Sequence, residues 1–118
     1  MIDRSQTSDG MIRRAKAYIE GCLDQERPPR VEEFATREGE SRFSVSRRFR
    51  EMTGSSLGLY MRLHQIERAK RLLERTDLPI KEVSHKVGFS NQESFARAFR
   101  RAVKSSPSRY RDVNHQCH

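Results

Sequence analysis

Residues 80–111 read IKEVSHKVGFSNQESFARAFRRAVKSSPSRYR, and this stretch decides the fold. A short segment after Pro79 places apolar residues at Ile80, Val83 and Val87, breaks at Gly88, and resumes with Phe95, Phe99, Ala102 and Val103 at helical spacing. The pattern predicts helix, tight turn, helix. Gly88 supplies the positive φ needed between two crossed helices, and Ser84, one helical turn earlier, is small enough to let the second helix approach. Ser90 or Asn91 can cap that second helix. Its outward face carries Gln92, Glu93, Arg97, Arg100, Arg101 and Lys104; five of the six are amide or cationic, the chemistry suited to base edges and phosphates in a major groove. On an isolated helix such a face is more often simply solvated. The rest of the chain changes that balance.

The design occurs twice. In ESRFSVSRRFREMTGSSLGLYMR (residues 40–62), Val45, Arg47, Phe49, Arg50, Ser55, Ser56 and Tyr60 answer, at an offset of 50, to Phe95, Arg97, Phe99, Arg100, Ser105, Ser106 and Tyr110. Upstream, Ala35 and Gly39 have the spacing of Ser84 and Gly88, with one residue fewer in the following turn. Both buried and charged positions repeat, which chance explains poorly.

On these residues the chain resembles the AraC/XylS family of transcription regulators, in its DNA-binding module. The likeness is carried by Phe34, Ala35, Gly39, Ser41, Val45, Arg47, Phe49, Gly54, Ser56 and Tyr60 in the first motif. In the second it is carried by Ile80, Val83, Gly88, Phe89, Ser94, Phe95, Arg97, Phe99, Arg100, Ser106, Pro107, Tyr110 and Arg111. Arg68, Ala69, Leu72 and Leu73 lie between them. A spread this long is far more specific than a lone motif. Three positions depart from the family pattern: Ser84 for Ala, Lys104 for Gly, and Glu40 for an apolar residue. Lys104 weakens the left-handed cap expected after the last reading helix, so that helix is expected to run on or fray.

The expected architecture is all-α, about seven helices, with two helix-turn-helix subdomains joined by a long linker helix. Residues 1–10 are polar and aperiodic and read as a flexible tail. Residues 11–56 form the first subdomain, beginning with a helix from Met11 to Leu23 that turns Ile12, Ala15, Ile19, Cys22 and Leu23 inward. A positioning helix over residues 31–38 follows, with Arg30 a poor cap, and then a reading helix from Ser41 to Thr53 that buries Val45, Phe49 and Met52 and is closed by Gly54. Residues 57–76 make the linker, stiff enough to fix the separation of two reading heads. Residues 77–112 form the second subdomain, and 113–118 a disordered tail.

Composition agrees. The chain has 118 residues, 34% of them apolar, a mean hydropathy of −0.91 and a formal charge of +8, which suits small amphipathic helices with a polyanionic partner. No apolar run approaches the roughly 18 residues a membrane span needs, and the amino terminus lacks the apolar core of a signal peptide, so the cytoplasm is expected. Cys22 and Cys117 are expected to be free thiols. No phosphate-cradling glycine loop, HExxH or nucleophile triad supports an enzyme. His115, Cys117 and His118 lack a fourth placed ligand, so neither a metal nor another cofactor is expected.

Given this fold, two reading helices on one rigid linker can enter successive major-groove segments of double-stranded DNA, and unequal halves imply an asymmetric site bound by a monomer. The expected base contacts are Arg47 and Arg97 to guanine, Gln92 to adenine, Glu93 to cytosine, Ser46 through water, and Phe43 to a thymine methyl unless it fills the space left by Glu40. Arg42, Arg50, Arg100, Arg101 and Lys104 are expected on phosphates. The resemblance implies a bacterial activator that contacts RNA polymerase, either as a stand-alone regulator or as the DNA-binding part of a longer ligand-responsive one. A nonspecific nucleic-acid or protein-interaction module is the rival, and paired turns and paired arginines argue against it.

Overall fold

A computed structural model describes residues 4–115, with side chains from residue 10 onward. Seven helices and no strand occur among the described residues: α1 (Arg4–Asp24), α2 (Val31–Glu38), α3 (Arg42–Thr53), α4 (Leu57–Arg75), α5 (Ile80–Lys86), α6 (Gln92–Val103) and α7 (Pro107–Asn114). The molecule is elongated, 55 × 23 × 22 Å. An all-α chain of this length with 34% apolar residues builds two small cores in place of one large one.

The first core gathers Met11, Ala15, Tyr18, Ile19, Cys22 and Leu23 of α1 with Phe34, Ala35, Val45, Phe49, Leu57 and Met61. The second gathers Ile66, Ala69 and Leu73 with Val83, Val87, Phe89, Phe95, Ala98 and Phe99. Helix α4 therefore belongs to both: its first two turns bury Leu57 and Met61 in one lobe, and its remainder buries Ile66, Ala69 and Leu73 in the other. Nineteen residues of unbroken helix, about 28 Å long, make it a spine common to both lobes.

Local chemistry sets the helix ends. Ser41, Ser56, Asn91 and Ser106 each accept a backbone N–H three residues on, capping α3, α4, α6 and α7. Arg30 offers α2 no side-chain cap; its backbone N–H instead donates to the Tyr18 hydroxyl (2.9 Å), which donates back to the Arg30 carbonyl (3.2 Å). Gly39, Gly54 and Gly88 hold φ of 70°, 79° and 87°.

Several expectations are corrected. The backbone is helical from Arg4, so residues 4–10 extend α1 and are not a tail. Adding a turn to a helix already nucleated gains one backbone hydrogen bond per residue and needs no apolar stripe to announce it. At the other end α7 runs to Asn114, whose side chain donates to the Tyr110 carbonyl (2.9 Å). His115 also has a fixed place, its Nε2 lying 2.9 Å from the Thr76 carbonyl and 3.1 Å from Asp77; Cys117 and His118 lie outside the described residues. Lys104 does not let α6 run on: it takes the left-handed conformation itself (φ 66°), and its N–H donates to the Arg100 carbonyl (2.9 Å). Met52 is half-buried at the margin of the first core, not inside it.

The lobes are joined by more than α4. Arg68 donates to Glu20 (2.8 Å) and Asp24 (2.9 Å) at the end of α1, and Lys86 lies 3.7 Å from Glu26. Within the second lobe, the buried Gln65 side chain of α4 donates to the Val87 carbonyl (2.9 Å), at the turn between α5 and α6. Burial makes that bond worth keeping, since an unpaired carbonyl there costs about 1–3 kcal/mol.

Candidate nucleic-acid interface

Helix α6 is placed by four rings. Phe95 and Phe99 are fully buried, with Phe95 against Phe89 (centroids 5.5 Å) and Phe99 against Tyr110 (5.5 Å). Tyr110 in turn donates its hydroxyl to Glu74 of α4. Burial, then the acceptor Glu74, pushes the Tyr110 phenol up to about 12, so it stays a donor into the alkaline range. With these rings inward, Gln92, Glu93, Arg97, Arg100 and Arg101 are all exposed. Asn91 starts the helix by accepting from the Ser94 N–H at 2.8 Å.

Helix α3 is set the same way. Val45 and Phe49 are fully buried, Phe49 lies against Tyr60 (5.1 Å), and Ser41 accepts from the Ser44 N–H (3.1 Å). Arg42, Phe43, Arg47 and Arg50 are exposed and Ser46 is half-buried. Phe43 is 79% exposed and does not fill the place of an apolar residue at Glu40. Glu40 occupies that place itself, accepting from the Ser44 hydroxyl (2.7 Å) and pairing with Arg48. Phe43 is thereby left as an apolar edge on the outside of α3.

Ion pairing sorts the cations. Arg14 pairs with Glu38 (2.8 Å), Arg27 with Glu33 (3.5 Å), Arg48 with Glu40, and Arg68 with Glu20, all structural partners. Among the described residues, no ion pair engages Arg47, Arg50, Arg97, Arg100, Arg101 or Lys104. Six cations on the two helices and the α6 cap are left without a carboxylate, and such a cation gives up no ion pair when a phosphate arrives. Arg42 differs, since it donates to Glu32 at 2.9 Å. Both partners are more than half exposed, and such a pair is worth little, so Arg42 can exchange it for a phosphate.

Of the residues singled out from sequence, Gln92, Glu93, Arg97, Arg100, Arg101 and Lys104 come together along α6 and its cap, and Arg42, Phe43, Ser46, Arg47 and Arg50 along α3. One feature beside them escaped sequence reading. A cleft of about 860 Å³ lies between the lobes, bordered by the 28–30 loop, by Leu59, Arg62 and Leu63 of α4, and by Arg97 and Arg101 of α6. Its only signal in the sequence is a pair of leucines, 59 and 63, standing off the buried stripe of α4.

Comparison with known proteins agrees with this geometry. A family model described as "Helix-turn-helix domain" matches residues 34–112. The chain is 34% identical over 95 residues to the "Regulatory protein SoxS" of Escherichia coli, covering 80% of this chain and 87% of that one. It is 31% identical over 102 residues to the "Right origin-binding protein" of Escherichia coli, and there it spans 86% of its own length and 35% of the relative's. Among solved structures, the C-terminal domain of AraT, a response regulator from Geobacillus stearothermophilus, superposes with a TM-score of 0.84 at 29% identity, covering 92% of this chain and 88% of that one. The DNA-binding domain of AdpA, a global transcriptional factor solved in complex with a target DNA, gives 0.74 at 32% identity, covering 84% and 90%. With two helix-turn-helix lobes on one spine and relatives of this kind, the chain belongs to the AraC/XylS family of helix-turn-helix transcription regulators.

Proposed function

We propose that the protein binds double-stranded DNA sequence-specifically as a monomer, with α3 and α6 in successive major-groove segments of an asymmetric site, and activates transcription from there. One observation carries the reading: two helices of like construction each present an unpaired, exposed arginine at the matching position, Arg47 and Arg97, and one continuous helix joins their lobes. Successive major grooves on one face of B-DNA lie about 34 Å apart, a distance that fits within the 55 Å length of the molecule.

Arg47 and Arg97 take guanine O6 and N7, Gln92 takes adenine, Glu93 accepts from cytosine N4, Phe43 meets a thymine methyl, and Ser46 reads through water. Arg42, Arg50, Arg100, Arg101 and Lys104 hold phosphates and supply most of the affinity. Because α3 and α6 differ at outward positions such as Arg42/Gln92, Phe43/Glu93 and Ser46/Ala96 while sharing Arg47/Arg97 and Arg50/Arg100, the two half-sites differ in sequence. Activation runs through contact with RNA polymerase, as family membership suggests, and the protein works in the cytoplasm. No helix of the described residues is long and apolar enough to cross a membrane.

Selection of the purified chain on a randomised duplex library at about 150 mM salt, where counterion-driven binding is suppressed, tests this. The expected product is one asymmetric motif with two fixed blocks about one helical turn apart. A palindrome, or no motif, would count against the two-headed monomeric reader.

A further inference from the structure

Between two successive major-groove segments on one face of B-DNA lies a single stretch of minor groove. Whatever this protein presents between α3 and α6, on the side of Arg97, meets that stretch. The cleft between the lobes borders α6 on that side: Arg97 and Arg101 form one wall, and Leu59, Arg62 and Leu63 of the spine helix form another.

Arg62 is the notable side chain there. Its guanidinium sits over the Phe89 ring, 5.1 Å from the centroid, and no carboxylate among the described residues pairs with it. Phe89 is itself nearly buried, at 8% exposure, so the platform is fixed by the second core. An aromatic face positions a guanidinium while leaving its N–H groups unspent, unlike the carboxylates that hold Arg68 or Arg14. The flanking leucines are 50% and 43% exposed. They have no role in either core, and apolar side chains suit the deoxyribose walls of a groove whose base edges offer few hydrogen bonds.

We infer that Arg62 reads the minor groove of the spacer between the two half-sites, making the protein sensitive to spacer A·T content at positions neither reading helix touches. This rests on the proposed two-groove docking. The physical basis is that A·T tracts narrow the minor groove and deepen its negative potential, which attracts an inserted arginine, whereas the guanine N2 amino group widens and obstructs it. Leu59 and Leu63 exclude water along the sugars and keep Arg62 in the groove. The specificity is indirect, because the minor groove distinguishes A·T from G·C but not the order within a pair.

The test uses the full chain and three duplexes that share the selected blocks and differ only in the spacer: A·T, G·C, and inosine·cytosine, which lacks the minor-groove amino group. The wild type is expected to bind the A·T and inosine spacers about fivefold more tightly than the G·C spacer. Arg62→Ala should bind all three alike while still rejecting duplexes with scrambled blocks. Arg62→Lys, which keeps a cation over Phe89 and so guards against a folding defect, should retain part of the preference. Equal binding of the three spacers by the wild type overturns the inference, and so does an Arg62→Ala loss that is uniform across them, which marks a plain phosphate contact. Failure of the wild type to distinguish true from scrambled blocks would instead remove the docking itself, and the inference with it.

Discussion

A Cβ placed on Gly88 would stand 2.9 Å from the Cα of Pro28. The turn of the second helix-turn-helix thus lies directly on the loop that leaves α1 of the first lobe, backbone against side-chain-free backbone. Gly88 is doubly constrained, because its φ of 87° already disfavours any other residue.

Gly88→Ala is therefore expected to destabilise the protein by about 2–4 kcal/mol, combining left-handed strain with overpacking against Pro28. Urea unfolding measures this. Under conditions where the variant remains folded, it should lose more affinity for a two-block site than for a single block, because the pushed-apart lobes no longer match the spacing. A loss confined to stability would show that the contact does not set the spacing.

Lys104 holds a left-handed backbone at the end of α6 without being glycine. Lys104→Gly should raise stability by about 1 kcal/mol, relieving the Cβ clash of that conformation. It should also weaken DNA binding, since a cation proposed for a phosphate contact is lost. Thermal melting and binding at fixed salt are expected to move in opposite directions.

Much of this was legible in the sequence, because the signals are local. Ser41, Asn91 and Gly54 each act within a few residues of themselves, as does the positive φ of Gly88, and the internal repeat matches Arg47 with Arg97. What sequence could not display are contacts across long separations: Gly88 on Pro28, Gln65 on the Val87 carbonyl, Arg68 on Glu20. Gln65 falls on the buried stripe of α4 where a polar residue reads as an interruption, and only its partner 22 residues away explains it. The ends leave little trace in the sequence for a different reason. Residues 4–10 extend α1 without apolar periodicity, and α7 is held by polar contacts of Asn114 and His115, which leave no hydrophobic pattern.

Tyr110 gives the fold an alkaline limit. Its folded pKa is pushed up to about 12 from an ordinary 10.0, first by burial and then by Glu74. The folded state keeps a proton that the unfolded chain releases, so this stabilisation is complete below pH 10 and is lost as pH rises from 10 to 12. Tyr110→Phe should cost about 0.5–1.5 kcal/mol at neutral pH, the worth of the hydrogen bond to Glu74, and should show a shallower fall in stability between pH 9 and about 11.5. Burial also raises the pKa of Tyr18 and Tyr60, so part of the fall should persist. Denaturant midpoints at the two pH values check both statements.

Phosphate contacts should be visible in salt. Each one released contributes about −0.9 to the slope of log affinity against log salt. Arg101→Ala is expected to reduce the magnitude of that slope by about one and to weaken specific and random duplexes alike. A loss confined to the specific duplex would reassign Arg101 to base reading.

The most direct test is to compare Arg47→Ala and Arg97→Ala on the selected operator with every base pair varied singly. The account predicts that each variant loses about 1–3 kcal/mol and relaxes one position, the two positions lying in different blocks about one helical turn apart. Losses of the same size on operator and random duplex, or relaxation of the same block by both variants, would contradict a protein that reads two grooves with two heads.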